Sequence, residues 1–368
     1  MVGRLTLSVL CGGQSTEHEV SIRSAKYVVS CLNDDQYDVS VIFIDHAGKW
    51  HLIGNKKDFL DSEPQMLVDA QKALPMTVLL GGEKEPWLFL NDSNCRHRVD
   101  CVFPVLHGTN GEDGALQGML DLLNLPYVGA DAQSSAICME KDITKCLLRA
   151  GHIPVLDWCT IHPHDNLPGL YETLKRQFGP EMFVKATSLG SSVGTVPVKD
   201  EAEFLRAVKE VFRFDERVIV EPRVRGREIE CAVLGNSDPR ASLPGEIISH
   251  HDYYSYAAKY LDPNGATTEV PAKLTPAIVK KIQDIAVSAF RALNCSGMAR
   301  VDFFLVNEKE IYVNELNTIP GFTSISLYPK MWEASGLSGP ELMNRLIALA
   351  LERYRHQQTL IRRYTPEG

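Results

Sequence analysis

The chain has 368 residues, of which 44% are hydrophobic and 23% are charged, and its formal net charge is −9. This composition is typical of a soluble globular protein and excludes a disordered chain, a collagen and a coiled coil, while the length predicts two or three domains. The acidic balance is unfavourable for general nucleic-acid or anionic-membrane binding, and no apolar run of about 18 residues predicts a membrane span. The nine cysteines are scattered without a CxxC pair, which favours a reducing, cytoplasmic location over a disulfide framework or a zinc module.

Strand-like and helix-like segments alternate in the first 130 residues. The predicted elements are the strand Leu5–Leu10, the helix Val20–Cys31, and the strands Val39–Phe43 and Asp100–Leu106. Residues 55–98 are polar and poorly patterned, and they predict a variable excursion with a hairpin turn at Gly81–Gly82. The βαβ-like rhythm predicts an N-terminal open parallel α/β sheet over residues 1–130.

Two α+β units are predicted to follow, over residues 131–222 and 223–368. The predicted elements of the first are the helix Ala132–Arg149, the strands Phe183–Lys185 and Val196–Val198, the helix Glu201–Phe212 and the strand Val218–Glu221. Those of the second are the strands Glu228–Leu234 and Gly245–Ile248, a tyrosine-rich loop at Asp252–Tyr260, the helix Thr275–Leu293, the strands Met298–Val306 and Glu310–Leu316, and the helix Glu341–Tyr354. The fold class is therefore α/β in its N-terminal part and α+β overall.

A loop rich in glycine and serine, Ser188–Gly194, lies between two predicted strands. Its backbone N–H groups and hydroxyls suit a phosphate, and Lys185 at the end of the preceding strand adds a point charge. Lys141 and Lys145 are four residues apart on one predicted helix and add cations, unless they belong to a solvated helix face. The loop also contains a GxSxG string, which would make Ser192 a hydrolase nucleophile if a helix followed; a strand is predicted instead. A flexible hairpin tip is the remaining alternative.

The strongest cluster of polar residues lies on the last two predicted strands. Arg300 and Asp302 alternate, so both side chains leave one face of an apolar strand, and Glu315 and Asn317 do the same on the next. Two carboxylates and an amide oxygen suit Mg²⁺, which also recruits phosphate oxygens; the alternative is an ion-pair network with Arg300. The Pro-Gly turn within Thr318–Ser324 would then offer backbone N–H groups to a reacting carbonyl.

Three further segments follow or form predicted strands. Glu17 follows the first strand, where α/β sheets bind ligands, and suits an ammonium group; otherwise it completes a helix dipole. The segment His107–Gly114 has three glycines in eight residues, and Glu221–Glu228 predicts an edge strand that presents backbone groups to a base. Each is an ordinary loop in the alternative interpretation. The chain lacks a Walker-type phosphate loop, a GxGxxG after its first strand, and HExxH.

Taken in order, these segments resemble one family. The strings GGQSTEHEVS, HGTNGEDG, KDITK, VKATSLGSSVG, GREIE, AAKY, GMARVDFFL and NELNTIPGFTSISLYP are similar to those of the D-alanine–D-alanine ligases, within the ATP-grasp superfamily. The resemblance runs through roughly residues 5 to 350. It implies three domains, with ATP held between the central and C-terminal ones.

The resemblance also implies a role for each matching residue. On the nucleotide side, Lys141 and Lys185 bind the ATP phosphates under the loop that contains Ser192, and Lys259 binds the γ-phosphate. Glu221 and Val224 bind adenine, and Glu228 binds the ribose. Two Mg²⁺ or Mn²⁺ ions are bound by Asp302, Glu315 and Asn317. On the amino-acid side, Glu17 binds the ammonium of the first D-alanine with His107 nearby, and Ser191 orients Glu17 and Tyr260. Ser326 binds the carboxylate of the second D-alanine. Arg300 and the Gly321 N–H form an oxyanion hole.

The implied activity is ATP-dependent formation of D-alanyl-D-alanine through a D-alanyl phosphate, for peptidoglycan precursor synthesis. Tyr260 within the KY pair favours D-alanine as second substrate. The alternatives are a related ligase that uses D-lactate or D-serine, a serine hydrolase, and a catalytically silent nucleotide-binding module. The family also implies a homodimer.

Overall fold

Three β-sheets organise the protein, whose structure is a computed structural model. It describes residues 3–53, 56–62, 74–81, 85–89, 96–191, 194–250, 262 and 265–361. The sheets contain seven, four and six strands.

The N-terminal sheet is parallel at its centre and antiparallel along one side. Its elements are β1 (Leu5–Gly12), α1 (His18–Cys31), β2 (Tyr37–Ile44), β3 (Trp50–Ile53), α2 (Lys56–Asp61), β4 (Leu74–Val78), β5 (Trp87–Phe89), β6 (Arg96–His97), β7 (Cys101–Pro104) and α3 (Ala115–Leu122). The strand order is β6-β5-β4-β3-β2-β1-β7, and β1 is parallel to both β2 and β7. The prediction of a parallel sheet is therefore confirmed for these three strands only, because β3 to β6 follow one another in antiparallel pairs.

The poorly patterned excursion contributes these antiparallel strands. Trp87 is fully buried, and its indole N–H donates to Ser8 Oγ of β1 at 3.0 Å. One aromatic anchor with a hydrogen-bonded N–H explains how a polar segment joins the sheet without an alternating pattern. Gly81 has a positive φ of 75° in a turn, as expected, whereas Gly82 lies outside the described residues.

The middle of the chain forms a four-stranded antiparallel sheet in the order β10-β9-β11-β8. Its elements are α4 (Ala132–Met139), α5 (Lys141–Ala150), β8 (Cys159–Ile161), α6 (Leu170–Phe178), β9 (Met182–Ala186), β10 (Thr195–Val198), α7 (Glu201–Val211) and β11 (Val218–Pro222). The prediction of one helix over residues 132–149 is wrong, because Glu140 has extended backbone angles (φ −90°, ψ 100°) and separates α4 from α5.

The C-terminal sheet is antiparallel and carries the longest strands. Its elements are β12 (Arg227–Gly235), β13 (Arg240–Ala241), β14 (Gly245–Ser249), β15 (Ala266–Glu269), α8 (Pro276–Ala292), β16 (Gly297–Val306), β17 (Glu310–Asn317), α9 (Leu327–Ala334) and α10 (Gly339–Gln358). One face of β16, with Val301, Phe303 and Leu305, packs against Phe290 of α8. The tyrosine-rich loop predicted at Asp252–Tyr260 lies outside the described residues.

The C-terminal helices join the N-terminal sheet. Tyr328 of α9 and Leu346 of α10 share one buried core with Leu7 of β1 and Val28 of α1. Cys138 and Leu148 of α4 and α5 lie in the core of the C-terminal sheet, whereas the central sheet has its own core with α6 and α7. Elements from the N-terminal and C-terminal parts of the chain therefore share one core, whereas the central sheet has a core of its own.

Arg353 of α10 connects α10 to the loops around it. Its guanidinium donates to the carbonyls of Tyr127 (2.9 Å) and Gly129 and to Ser296 Oγ (2.7 Å).

We expect Arg353→Met to lower the free energy of unfolding by about 2–3 kcal/mol, because it leaves these partly buried acceptors unpaired. Urea denaturation of the wild type and the variant measures the change. Arg355→Met is the matched control, since Arg355 is exposed and bonds the Leu351 carbonyl of its own helix. Equal losses in both variants would contradict the assignment.

Candidate active site

The register of β16 and β17 brings the predicted metal ligands together. Arg300 lies opposite Asn317 and Asp302 opposite Glu315, all on the face away from the α8 core. Between Asp302 and Phe303 the register shifts by one residue, so β17 contains a bulge. Bulges re-aim side chains next to active sites, and this one keeps both carboxylates on the same face.

Arg300 is clamped between two carboxylates. It donates twice to Asp302, at 2.7 Å each, and its Nε lies 3.1 Å from Glu230 Oε2 of β12. Burial opposes the charge, but Asp302 and Glu230 outweigh it and raise the pKa of Arg300 well above its usual value. Glu230, which is 5% exposed, was not singled out from the sequence, because its pairing depends on the register of β12 with β16.

The donor set of this hairpin fits a hard divalent cation. Asn317 Nδ2 donates to Asp302 Oδ2 at 3.0 Å, and the Lys141 ammonium lies 3.7 Å from Glu315 Oε2. Carboxylate and amide oxygens are ligands that Mg²⁺ and Mn²⁺ accept. The ion-pair network considered as an alternative is also present, and it shares Asp302 with the candidate metal site.

The stem of the glycine- and serine-rich loop is fixed by two carboxylates. Ser188 donates its backbone N–H to Asp215 at 2.7 Å and its hydroxyl to Glu140 Oε2 at 2.5 Å. The Lys141 ammonium donates to the Leu189 carbonyl at 2.6 Å. The helix break at Glu140 therefore directs a carboxylate to the loop and sets Lys141 beside it.

The serine-hydrolase alternative is wrong in its structural premise. The loop joins β9 to β10, which pair antiparallel, so it is a β-hairpin connection and not the strand-to-helix turn that a nucleophile elbow requires. Ser192 itself lies outside the described residues.

A buried lysine, Lys145, and a partly exposed one, Lys185, share the carboxylate of Glu221. Lys145 Nζ lies 2.5 Å from Glu221 Oε1, and Lys185 Nζ lies 2.5 Å from Oε2. Burial favours the protonated acid, but the two lysines outweigh it and lower the pKa of Glu221 to about 2. The alternative of a solvated helix face is wrong for Lys145, whose side chain is 1% exposed.

Glu17 lies at the N-terminus of α1 and meets the loop from the central sheet. The Ser191 hydroxyl donates to Glu17 Oε1, and Ser191 takes a left-handed conformation with φ 53°. A Cβ placed on Gly108 (φ 71°) would lie 2.8 Å from Glu17 Oε2, so only glycine fits there without displacing the carboxylate.

His107 has both ring nitrogens engaged inside the protein. Nδ1 lies 2.9 Å from the Ile319 carbonyl and Nε2 3.0 Å from Ser24 Oγ, which in turn accepts the Phe322 N–H. Burial lowers the pKa of His107, so the neutral ring donates to the carbonyl and accepts from the serine. These contacts hold the Pro-Gly turn; contact with a substrate stays a prediction.

Glu112 is a second support for this turn that the sequence did not single out. It accepts the Gly108 N–H at 2.9 Å and the Ile319 N–H at 3.2 Å. Burial, with a further contribution from Glu17, raises its pKa to about 8, against the effect of the two N–H groups. The HGTNGEDG segment is therefore a bracket between the first sheet and the C-terminal turn, not an ordinary loop.

The turn ends at the N-terminus of α9. Ser326 occupies the N-cap position, and its hydroxyl oxygen accepts the Thr323 N–H at 3.0 Å. A Cβ on Gly321 would lie 2.9 Å from that hydroxyl oxygen. The hydroxyl and the helix end make this a favourable position for a carboxylate.

The segment predicted as an edge strand is irregular. β11 ends at Pro222 and β12 begins at Arg227, so residues 223–226 form a connector between two sheets. Both carboxylate oxygens of Glu221 are paired with lysines, so the predicted contact of Glu221 with a nucleotide base would have to be made by its backbone. Val224 and Glu228 line the same cavity as Glu221.

Every residue of the described part of the chain to which the family resemblance gave a role lines one cavity of about 1760 Å³. These residues are Glu17, His107, Lys141, Lys185, Ser191, Glu221, Val224, Glu228, Arg300, Asp302, Glu315, Asn317, Gly321 and Ser326. Ser192, Lys259 and Tyr260 lie outside the described residues. A cavity lined by acidic, basic and hydroxyl groups can bind anionic and zwitterionic substrates side by side.

Comparison with known proteins identifies this arrangement. The models of the D-Ala-D-Ala ligase N-terminus and C-terminus match residues 6–130 and 147–348. The chain belongs to the D-alanine–D-alanine ligase family. It is 61% identical to the D-alanine–D-alanine ligase of Coxiella burnetii over 365 residues, covering 99% of this chain and 98% of that one. It is 46% identical to the ligase of Oceanobacillus iheyensis, covering 96% and 97%.

Solved structures agree with the family and its ATP-grasp fold. The Coxiella burnetii D-alanine–D-alanine ligase matches with a TM-score of 0.90 at 57% identity, over 98% of this chain and 97% of that one. The VanG D-Ala:D-Ser ligase of Enterococcus faecalis matches with a TM-score of 0.84 at 36% identity, over 95% and 100%. The predicted family and ligase activity are thereby confirmed, and ATP is the nucleotide the family uses.

We expect Gly108→Ala to lower kcat/KM for D-alanine at least about 10-fold with a smaller effect on the KM for ATP, because the added Cβ displaces the Glu17 carboxylate. Initial rates measured against each substrate separate the two. Gly118→Ala in α3 is the control, since its Cβ would meet no heavy atom within 4 Å. Equal losses for both substrates would show that the clash does not act through Glu17.

Proposed function

We propose that the protein joins two D-alanines into D-alanyl-D-alanine at the expense of ATP, with the site residues in the roles that the family resemblance implied. The observation that carries the proposal is the hairpin of Asp302, Glu315 and Asn317 beside Arg300, in one cavity with Glu17 and the loop lysines.

ATP lies with its phosphates toward Lys141 and Lys185 in this proposal, beneath the loop that carries Ser191 and Ser192. The base meets the backbone of Glu221 and Val224. The ribose hydroxyls meet Glu228, and Lys259 reaches the γ-phosphate.

Asp302, Glu315 and Asn317 would hold two divalent ions, Mg²⁺ or Mn²⁺, which would supply positive charge to the phosphate oxygens. Lys141, 3.7 Å from Glu315, adds a positive charge at the boundary of this metal site and the phosphate loop.

The first D-alanine places its ammonium on Glu17, and Ser191 orients both Glu17 and Tyr260. Its carboxylate then attacks the γ-phosphoryl group, which is mainly a matter of positioning and charge stabilisation. The bond from the γ-phosphorus to the bridging oxygen breaks as the new bond forms, and the products of this step are an acyl phosphate and ADP.

The second D-alanine binds with its carboxylate at Ser326, and its amine attacks the acyl carbon. Negative charge develops on the carbonyl oxygen and is stabilised by Arg300 and the Gly321 N–H before phosphate leaves. His107 acts by holding the backbone turn that carries Gly321.

In the assay, the protein is incubated with ATP, Mg²⁺ and D-alanine, and the products are identified by mass spectrometry. We expect D-alanyl-D-alanine and one phosphate per dipeptide. D-serine and D-lactate added in competition with D-alanine test which molecule is the second substrate. A preference for either of them would show that D-alanine is not the preferred acceptor. The absence of both dipeptide and phosphate release would refute the proposal.

Arg300→Ala should lower kcat by about 10²–10³-fold, the usual effect of losing one oxyanion donor, while the KM for ATP changes little. Since the change also leaves Glu230 without its cation, Arg300→Ala/Glu230→Gln is the matched variant, expected to regain stability but not turnover. An equal loss of ATP binding would show that the role of Arg300 is wrong.

The setting of the enzyme is part of the same proposal. No helix in the described portion of the chain is long and apolar enough to cross a bilayer. We place the protein in the cytoplasm, where ATP is supplied, as a homodimer. Light scattering of the purified protein tests the dimer, since a monomer mass at micromolar concentration would contradict it.

A further inference from the structure

Lys145 is a buried lysine that has no role in the reaction as described above. Its ammonium lies 2.5 Å from Glu221 Oε1, 3.4 Å from the Leu156 carbonyl and 5.7 Å from the centre of the Trp158 ring. Unlike Lys185 and Glu221, it is not part of the cavity wall. It therefore acts on the cavity only through Glu221.

The three charged groups leave one positive charge in excess. Glu221 is 2% exposed and ionised, because its lysines hold its pKa at about 2. Burial lowers the pKa of Lys145, and Glu221 opposes that change. Lys185 keeps its charge, since Glu221 raises its pKa against the effect of burial.

The excess charge is available at Lys185. Lys185 lines the cavity with a side chain that is 12% exposed, and its Nζ lies 2.5 Å from Glu221 Oε2. With Lys185 as the only cation on this carboxylate, the pair would be neutral, and a phosphate would be attracted by the lysine and repelled by the carboxylate at nearly the same distance. A buried carboxylate would also retain its single cation strongly.

We propose that Lys145 is a positioning residue that neutralises Glu221 from behind, so that the charge of Lys185 remains free for the phosphates of ATP. The inference rests on the proposed function in one respect, namely that Lys185 binds ATP phosphate. An ammonium has three donors, so Lys185 can keep Glu221 and bind phosphate together once the carboxylate is compensated by Lys145.

The test uses Lys145→Gln, which removes the charge but keeps a donor for Glu221. We expect the Kd and KM for ATP to rise about 10- to 100-fold, the range of one charge-assisted hydrogen bond. We expect kcat at saturating substrates and the KM for D-alanine to change by less than about 3-fold, because the charge acts on nucleotide binding. Lys145→Arg should recover most of the loss.

The double variant Lys145→Gln/Glu221→Gln separates charge compensation from packing. Removing the carboxylate also removes the repulsion, so ATP affinity should return to within a few fold of the wild type. A packing role for Lys145 would not be rescued in this way. Lys209→Met, an exposed lysine on α7, is the control for general charge effects and should leave both constants unchanged.

Affinity for ATP is measured directly by calorimetry as well as by turnover, so the result does not depend on ligation. An unchanged ATP affinity in Lys145→Gln, or a double variant as weak as the single one, overturns the inference. Failure of the wild type to make dipeptide while Lys145→Gln still weakens ATP binding counts against the proposed function alone. If Lys145→Gln does not fold, the double variant decides: normal ATP affinity supports the inference, and weakened affinity contradicts it.

Discussion

The pairing of Asp302 with Glu315 is the constraint on which the active site depends. Side chains alternate along a strand, so a slip of one residue would send one of the two carboxylates into the α8 core. The bulge in β17 absorbs a residue just beyond this pair, and the apolar face of β16 stays buried on the other side. The same register brings the end of β17 to the Pro-Gly turn, so a single hydrogen-bond ladder positions both the candidate metal ligands and the proposed oxyanion donors.

Charge compensation is the second requirement of the cavity. Buried carboxylates cost free energy unless cations or N–H groups accompany them. Glu230 is matched by Arg300, and Glu221 by two lysines. Glu112 has two backbone N–H donors but no cation, and its pKa stays raised to about 8. The protein as a whole is acidic, yet Lys141 and Lys185 place two positive charges in the cavity wall, at the proposed position of the ATP phosphates.

The predictions from sequence succeeded where the signal is local. Alternation in β16 and β17 predicted the shared face of Arg300 and Asp302, and the hairpin position of the phosphate loop followed from the strands on each side of it. The predictions failed where the reason lies far along the chain. No proline or glycine in the sequence indicates the helix break at Glu140. The side chain of Glu140 accepts a hydrogen bond from Ser188, which is 48 residues away, so a local pattern could not predict the break. The sequence left Lys145 open between a cation of the phosphate site and a solvated helix face, because its partner Glu221 is distant in sequence.

The substrate-binding end is assembled from both ends of the chain. His107 and Glu112 bond the backbone at Ile319 from two sides, and Ser24 of α1 supports the next turn residues. The position of Glu17 relative to the oxyanion turn is therefore fixed by hydrogen bonds within one packed unit, whereas the loop over the phosphates belongs to the central sheet with its separate core. Ser191 is one contact between the two, since it bonds Glu17 across this boundary. In the proposed reaction, placement of the loop and orientation of the first amino acid are therefore coupled, which would align the phosphoryl group with the attacking carboxylate.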